Sequence, residues 1–166
     1  MSIVDTFEGT LDGLAVETTR LAPEAFEDAL EAVVDEPAVG TPLPMASVSL
    51  EGTSVVTDPT PRRLTEAVTG VTAASLGIAD YGSVVLPSTP EGGEPVSLFC
   101  DHHVVVIDAA DIVPDMPTAI GRMATTLADE RESAIIATGP SATADMGALV
   151  RGAHGPKTVH VLVLEP

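Results

Sequence analysis

The chain of 166 residues carries 25 acidic side chains against seven lysines and arginines, which gives a formal net charge of −18 at pH 7. This charge excludes a broad basic surface for nucleic acids. A hydrophobic content of 45% and a positive mean hydropathy exclude a disordered chain. A chain of this length buries roughly two thirds of its unfolded surface, so it is expected to form one ordinary domain.

An acidic chain with a single lysine, Lys157, is typical of proteins that stay soluble in molar salt, where the Debye length falls to about 3 Å. The composition therefore predicts a halophilic source. The single cysteine excludes an internal disulfide and a self-contained iron–sulfur cluster, which normally takes about four ligands. The chain has no signal peptide and no apolar run of about 18 residues, so we expect a soluble, cytoplasmic protein.

Apolar spacing predicts helices and β-prone runs predict strands along the whole chain. The predicted helices cover residues 3–14, a segment that begins at Pro23, a segment that begins at Pro61, and residues 117–127. The predicted strands cover residues 15–21, 83–86, 103–107, 134–138 and 159–164, with shorter β-prone pieces at 46–50 and 54–57. Residues 37–44 are predicted as a proline-punctuated connection and residues 87–95 as an exposed loop.

Strands that alternate with helices of about ten residues predict an α/β fold with an open, mainly parallel sheet and helices on both faces. Ligands of such sheets bind outside the carboxyl ends of the strands. Three segments are therefore the expected ligand positions: residues 79–83, 108–111 and 139–145.

The strand predicted at 134–138 is expected to be buried, and it stops at a Gly-Pro pair followed by small hydroxyl side chains. Ser141, Thr143 and Asp145 then precede residues 146–150, a predicted short helix whose free amides would receive an anion. In the alternative interpretation, Ser141 or Thr143 only caps that helix. The segment lacks the lysine of a common phosphate loop, and Asp145 would repel a phosphate, so Asp145 suits a ligand hydroxyl or a metal better.

A second Gly-Pro pair, at 155–156, lies within the stretch between Asp145 and Glu165, which contains no acidic residue. The basic side chains of this segment predict an electropositive spot in an otherwise acidic chain. His154 lies on a tight loop, where an imidazole suits acid–base chemistry, although a loop histidine also occurs without function. His160 lies in an alternating strand and is expected to pack.

Adjacent zinc-type ligands occur at Cys100, Asp101, His102 and His103. Neighbouring residues rarely point into one coordination sphere, and no second cluster completes four ligands. We therefore expect a buried Cys100 at the start of a strand and no metal.

The candidate site combines the two Gly-Pro segments with a third, Tyr81-Gly82-Ser83, which either contributes a hydroxyl to the cleft or forms an ordinary turn. Asp145 and His154 are the candidate catalytic residues. The candidate ligand-binding residues are Gly139, Pro140, Ser141, Thr143, Ala144, Arg151, Gly152, Gly155, Tyr81, Gly82 and Ser83.

The sequence Gly-Pro-Ser-Ala-Thr-Ala-Asp at 139–145, with Gly-Ala-His-Gly-Pro at 152–156 and the Val-His-Val-Leu-Val tail, resembles the closing signature of the LUD domain, specifically of LutC-like proteins. Segments 78–86, 97–98, 103–107 and 112–115 resemble the preceding part of that family. The resemblance covers residues 71–166 well and residues 1–70 only by the order of elements, and it implies one LUD domain over residues 1–166.

The resemblance implies a fold similar to ribose-5-phosphate isomerase and CoA transferases, and a role in oxidising L-lactate to pyruvate. It implies no intrinsic cofactor, with iron–sulfur clusters held by LutA-like and LutB-like partner proteins, and a small carboxylate or phosphorylated ligand. Ala142, Gly147 and Tyr81 depart from the family pattern, and the step that this subunit performs stays open.

Two other hypotheses stay open beside the lactate-oxidation subunit. A free-standing enzyme on the same scaffold would act on a sugar phosphate, nucleotide, folate or CoA ester. A purely structural subunit would need no pocket. No nucleic acid partner and no membrane span are expected, and the sequence does not decide whether the chain forms a homo-oligomer.

Overall fold

The computed structural model describes residues 1–130, 132–144 and 147–166, which form two sheets, a short hairpin and the helices around them. The helices are α1 Ile3–Gly13, α2 Phe26–Val33, α3 Pro61–Glu66, α4 Gly93–Phe99 and α5 Met116–Glu130. The strands are β1 Glu17–Leu21, β2 Ala38–Gly40, β3 Val55–Val56, β4 Thr69–Ala73, β5 Leu76–Ile78, β6 Ser83–Pro87, β7 His102–Asp108, β8 Ile112–Val113, β9 Ala134–Thr138, β10 Ala142–Thr143, β11 Val150–Arg151 and β12 Thr158–Leu164.

The main sheet has six strands in the spatial order β1, β12, β7, β4, β2, β3, and every neighbouring pair is parallel. Its two longest strands, β7 and β12, lie side by side near the centre, where their β-branched runs are covered on both faces. The predicted α/β fold with an open, mainly parallel sheet is confirmed.

Alternate side chains of β7 and β12 face opposite layers, as the two-residue period of a strand requires. Val105 and Val161 pack with Phe7 of α1 and with the inner face of a second sheet. On the opposite face, Val104 and Leu162 pack with the buried side chains of α2. Helices therefore cover both faces of the main sheet, as the sequence predicted.

The second sheet has four strands in the order β8, β5, β6, β9. β6 is antiparallel to both β5 and β9, while β8 is parallel to β5. Its outer face packs against α5 through Ala119 and Met123. The predicted strands at 83–86 and 134–138 thus belong to this smaller sheet. The second of them is a partly exposed edge strand, with Ile136 open to solvent, and the prediction that it is buried is wrong.

Two elements fall where the sequence predicted connections. The strand β2 lies inside the proline-punctuated segment 37–44, and it is only three residues long, too short to show an alternation. A Cβ on Gly40 would come within 2.8 Å of the Leu50 and Val55 side chains, so this strand packs too closely for a larger residue. The helix α4 begins at Gly93, after Gly92 in a left-handed conformation, inside the predicted loop 87–95.

The predicted β-prone piece 46–50 forms no strand, although Val48 and Leu50 are buried in the layer that covers α2. Both of these side chains are buried, but the backbone of the segment pairs with no neighbouring strand of the described chain, so the segment stays irregular. In the described part of the chain, no helix is long and apolar enough to cross a membrane.

Candidate functional site

The two Gly-Pro segments meet through the backbone of Ser141. The Ser141 N–H donates to the carbonyl of Pro156 at 2.8 Å, and the Ser141 carbonyl accepts from the Gly152 N–H at 3.0 Å. The Ser141 hydroxyl accepts from the His154 N–H at 3.3 Å. A Cβ on Gly155 would lie 3.2 Å from the Ser141 Cβ, so a larger residue would require a shift of a few tenths of an ångström here. The structure therefore brings together the two segments that the sequence singled out.

The helix predicted over residues 146–150 overlaps a short hairpin, and Met146 lies outside the described residues. β10 pairs with β11 in antiparallel register, so that Ala142 lies opposite Arg151 and Thr143 opposite Val150. Residues 148–150 are not helical. Residues 148–150 therefore offer no helical amides to an anion, and the Ser141 and Thr143 hydroxyls bond to the His154 N–H and the Val150 carbonyl, respectively.

The remaining predicted residues of these segments lie on the surface of the hairpin and its flanks. Ala144 and Arg151 are exposed, while Pro140 is partly buried before β10. Asp145, the candidate catalytic carboxylate, lies outside the described residues. The structure therefore positions the flanks of the predicted site and leaves the role of Asp145 as a prediction.

The third predicted segment, Tyr81-Gly82-Ser83, lies directly beside Gly139. Ser83 pairs with Thr138 across β6 and β9, and their hydroxyl oxygens are 2.6 Å apart. Gly82 and Gly139 both have positive φ, and a Cβ on either would approach the Leu14 side chain. Tyr81 is 52% exposed and lines none of the cavities described below.

A narrow, largely apolar cavity of about 50 Å³ lies beneath these turns, and Gly82, Gly139 and Pro156 contribute to its wall. Two polar residues also line it, Ser97 of α4 and His103 of β7. The sequence pattern indicated His103 only as a potential metal ligand. The signal that could have indicated a buried histidine was its position: His103 begins the most β-prone run of the chain, and the side chains that follow it in this run are buried.

His103 is 3% exposed, and its Nε2 shares a hydrogen bond of 2.7 Å with the Thr72 hydroxyl. Burial, with a smaller contribution from the neighbouring His102, lowers the pKa of the His103 imidazole to about 3. The imidazole beneath the site is consequently neutral at physiological pH.

An open groove of about 370 Å³ runs outside the same turns, between the end of α4 and the loop 152–155. His154, Leu98 and Phe99 line it, and Leu98 also lines the inner cavity. Within the described chain, the amides of Ala153 and Gly155 donate no hydrogen bond. The groove is therefore lined by the His154 imidazole, the Asp101 carboxylate and an apolar wall, and two unpaired N–H groups lie in its loop.

The predicted electropositive spot is smaller than the sequence suggested. The Lys157 ammonium pairs with Asp101 at 2.9 Å. The ring of His160 is bonded to Thr19 at 2.8 Å and lies 3.4 Å from Glu17, away from the groove. Burial lowers the pKa of the His160 imidazole, and Glu17 partly opposes this shift. His160 packs in its strand, as expected.

The site lies at the amino-terminal edge of the main sheet. The N–H groups of Lys157 and Thr158, at the start of β12, both donate to the carbonyl of Asp101, which precedes β7. The expected position at the carboxyl ends of the strands does not apply to these loops, because residues 139–145 follow a strand of the second sheet. Residues 108–111 follow β7 at the opposite edge, so they do not join the cluster.

The four adjacent zinc-type side chains are directed to different surroundings. Cys100 is buried, and burial raises the pKa of its thiol to about 11, with Asp101 contributing. His102 is bonded to Thr158 through Nδ1 at 2.7 Å and to the carbonyl of Val33 through Nε2 at 3.0 Å. Among the residues that the structure describes, no group of three or more potential ligands is placed to hold a metal ion.

Comparison with known proteins identifies the family of this arrangement. The family profile of the LUD domain matches residues 13–164. A protein named lactate utilization protein C from Bacillus licheniformis is 35% identical over 108 residues, which cover 63% of this chain and 45% of that protein. The protein of the same name from Bacillus subtilis is 34% identical over 107 residues, covering 61% of this chain and 45% of its own length. The match thus spans about half the length of these curated relatives.

A solved structure of a DUF162 family protein from Deinococcus radiodurans has the same fold. Its TM-score is 0.79 at 21% identity, and the superposition covers 98% of this chain and 96% of that one. The sequence resemblance stated above is confirmed by the family profile, which spans most of the chain from α1 to β12. The chain therefore belongs to the LUD domain family.

Proposed function

We propose that the chain acts in lactate utilisation as a LutC-like component of the oxidation of L-lactate to pyruvate. The observation that carries this proposal is the similarity to several proteins named lactate utilization protein C, from Bacillus licheniformis, Bacillus subtilis and Macrococcus caseolyticus. The alternative of a free-standing enzyme for sugar phosphates, nucleotides, folates or CoA esters has no comparable support.

The groove at the amino-terminal edge supports the binding of a small hydroxy acid. The carboxylate of lactate would accept hydrogen bonds from the free amides of Ala153 and Gly155 and from the His154 imidazole. Its methyl group would contact the apolar wall formed by Leu98 and Phe99. We propose Asp145, which lies outside the described residues, as the acceptor for the ligand hydroxyl.

Electron transfer in this proposal belongs to iron–sulfur partner proteins of the LutA-like and LutB-like type. The one cysteine of the chain is buried and carries a thiol of raised pKa, so the chain has no ligand set for a cluster of its own. Phe99 is 71% exposed at the rim of the groove. An apolar side chain at this position suits a partner surface that closes over the bound lactate.

Ligand titration tests the pocket. Isothermal calorimetry in high salt should show binding of L-lactate, and His154→Ala should weaken that binding by about tenfold or more, because a charge-assisted hydrogen bond is lost. Asp145→Asn should behave likewise, and the two losses should be less than additive. Arg62→Ala is the matched control, since Arg62 is exposed on α3 and lies outside the site. Equal affinity in all variants would reject this pocket.

Reconstitution tests the role in oxidation. Purified iron–sulfur partner proteins should reduce an electron-accepting dye with L-lactate only when this chain is present. Phe99→Asp should abolish this dependence, whereas Ile120→Asp, which alters another exposed apolar side chain on α5, should not. Lactate oxidation at full rate without the chain would overturn the proposed function.

A further inference from the structure

A second cleft lies at the opposite, carboxyl-terminal edge of the main sheet. Its volume is about 280 Å³, and it opens where β2 and β4 end beside the end of β6. Its lining residues are Thr41, Pro42, Leu43, Pro44, Thr72 and Ala73, with Leu86, Pro87, Thr89, Glu91 and Gly93 on the facing wall. None of these residues belongs to the groove around His154.

The cleft coincides with the topological switch point of the sheet. From the end of β2 the chain moves outward to the edge strand β3, whereas from the end of β4 it moves in the opposite direction to β7. The two connections leave neighbouring parallel strands on opposite sides, which opens a crevice between their carboxyl ends. Crevices of this kind bind ligands in open α/β sheets, independently of the chemistry that each fold performs.

A hydroxyl that lines the cleft has no protein partner among the residues described. Thr41 is 5% exposed, and its N–H donates to the Val71 carbonyl at 3.1 Å. Across the part of the chain that the structure describes, however, the Thr41 hydroxyl makes no hydrogen bond. The Thr41 hydroxyl is therefore available to hydrogen-bond a ligand in the cleft.

The other polar groups define the kind of ligand. Thr72 is occupied by its bond to His103, and the Thr89 hydroxyl accepts from the Gly93 N–H at 3.2 Å. Glu91 is the charged residue of the lining, and no lysine, arginine or histidine lies among the lining residues described. A carboxylate without a cation favours hydroxyl or amino donors and disfavours phosphates and carboxylates. The proline and leucine walls suit a flat apolar ring.

We infer that this cleft binds an uncharged, hydroxyl-bearing ligand of nucleoside size. The ligand would bond to the Thr41 hydroxyl and to the Glu91 carboxylate, while its ring packs against the proline wall. The volume is at the lower end of small-molecule sites, which are typically roughly 300 to 1,000 Å³. This site is separate from the groove proposed for lactate, and neither proposal depends on the other.

Calorimetric titration with adenosine tests the inference, with adenosine monophosphate and L-lactate as charged comparisons. Adenosine should bind in the millimolar range or better, and the monophosphate at least about tenfold more weakly because of Glu91. Thr41→Val should lower adenosine affinity by about fivefold or more while the unfolding midpoint stays equal or rises, since the removed hydroxyl has no partner in the free protein. A Thr41 that serves only in packing would show the stability result without the affinity loss.

Two further variants make the test decisive. Thr65→Val removes an exposed threonine hydroxyl on α3 and should leave adenosine binding unchanged. Glu91→Gln lies on an exposed loop and should reduce the preference for adenosine over its monophosphate, which covers the case in which Thr41→Val fails to fold. The inference is overturned if adenosine does not bind at millimolar concentration, if the monophosphate binds more tightly, or if both cleft variants bind as the parent does.

Discussion

Acidification from pH 7 to pH 5 is expected to destabilise the fold through one buried imidazole. His103 is 3% exposed, lines the narrow cavity and shares its Nε2 hydrogen bond with Thr72. Burial disfavours the charged form of the His103 imidazole, and repulsion from His102 acts in the same direction, so its pKa in the folded chain lies at about 3 against an ordinary value of 6.5. The unfolded chain therefore binds more protons than the native chain throughout this interval.

The sign and size of the effect follow from proton linkage. Stability rises with pH wherever the unfolded state binds more protons. The stability associated with the neutral His103 imidazole is therefore fully present above the pKa of the unfolded chain, and it is lost as pH falls toward the pKa of the folded chain. At pH 5 the unfolded imidazole is protonated and the native one is not. Since one pKa unit corresponds to about 1.4 kcal/mol, His103 should lower the free energy of unfolding by about 2 kcal/mol between pH 7 and pH 5.

Other groups with shifted pKa values add to this effect, oppose it or act outside this pH window. The raised pKa of Asp111, caused mainly by burial, opposes it, because the native carboxyl binds protons more readily than the unfolded one. The pKa of His160 is also lowered by burial, so this residue changes stability in the same direction. The carboxyl groups of Asp5 and Glu31 have lowered pKa values because of hydrogen bonds with Ser2 and Ser54, respectively. Their contributions are lost only below the ordinary carboxyl range near pH 4, outside this window.

Urea unfolding followed by far-ultraviolet circular dichroism at about 1 M KCl, which screens the surface carboxylates, measures the effect at both pH values. His103→Gln keeps a polar partner for Thr72 and removes the titrating imidazole. Between pH 7 and pH 5, the free energy of unfolding of this variant should therefore fall by about 2 kcal/mol less than that of the parent. His154→Gln, which removes an exposed imidazole, should retain the full parental change. A His103→Gln variant with the same pH dependence as the parent would refute the argument.

Three further outcomes follow from packing and charge. Gly70→Ala should destabilise the fold by about 2 kcal/mol or more in urea unfolding, because the new Cβ would lie 2.4 Å from the Val96 carbonyl oxygen. The control Gly121→Ala should be neutral or stabilising, because Gly121 lies in α5 with open space around it. Cys100 should resist an aromatic disulfide reagent in the native state and react after unfolding, because its thiol is buried with a pKa raised to about 11, and rapid native labelling would contradict this. Raising KCl from about 0.1 M to about 1 M should raise the thermal midpoint, since screening weakens repulsion among 25 acidic side chains, and a flat or falling midpoint would count against adaptation to salt.

Local sequence patterns predicted most of the elements that carry a long periodic signal. The spacing of apolar residues in α1 and the β-branched runs of β7 and β12 depend only on residues close in the chain, so they could be recognised without the tertiary structure. The motifs at 139–145 and 152–156 likewise sufficed for the family, and their residues do meet, through Ser141.

Tertiary structure alone decided which sheet each strand joined and what surrounded the polar side chains. β6 and β9 have the same apolar composition as strands of the main sheet, yet they pair antiparallel in a second sheet, because pairing partners are distant in sequence. The hairpin at Ala142–Thr143 arose from pairing with Val150–Arg151, which local helix propensity does not reveal. The neutral imidazole of His103 results from burial by segments far along the chain, and desolvation is a property of the folded molecule rather than of the residue.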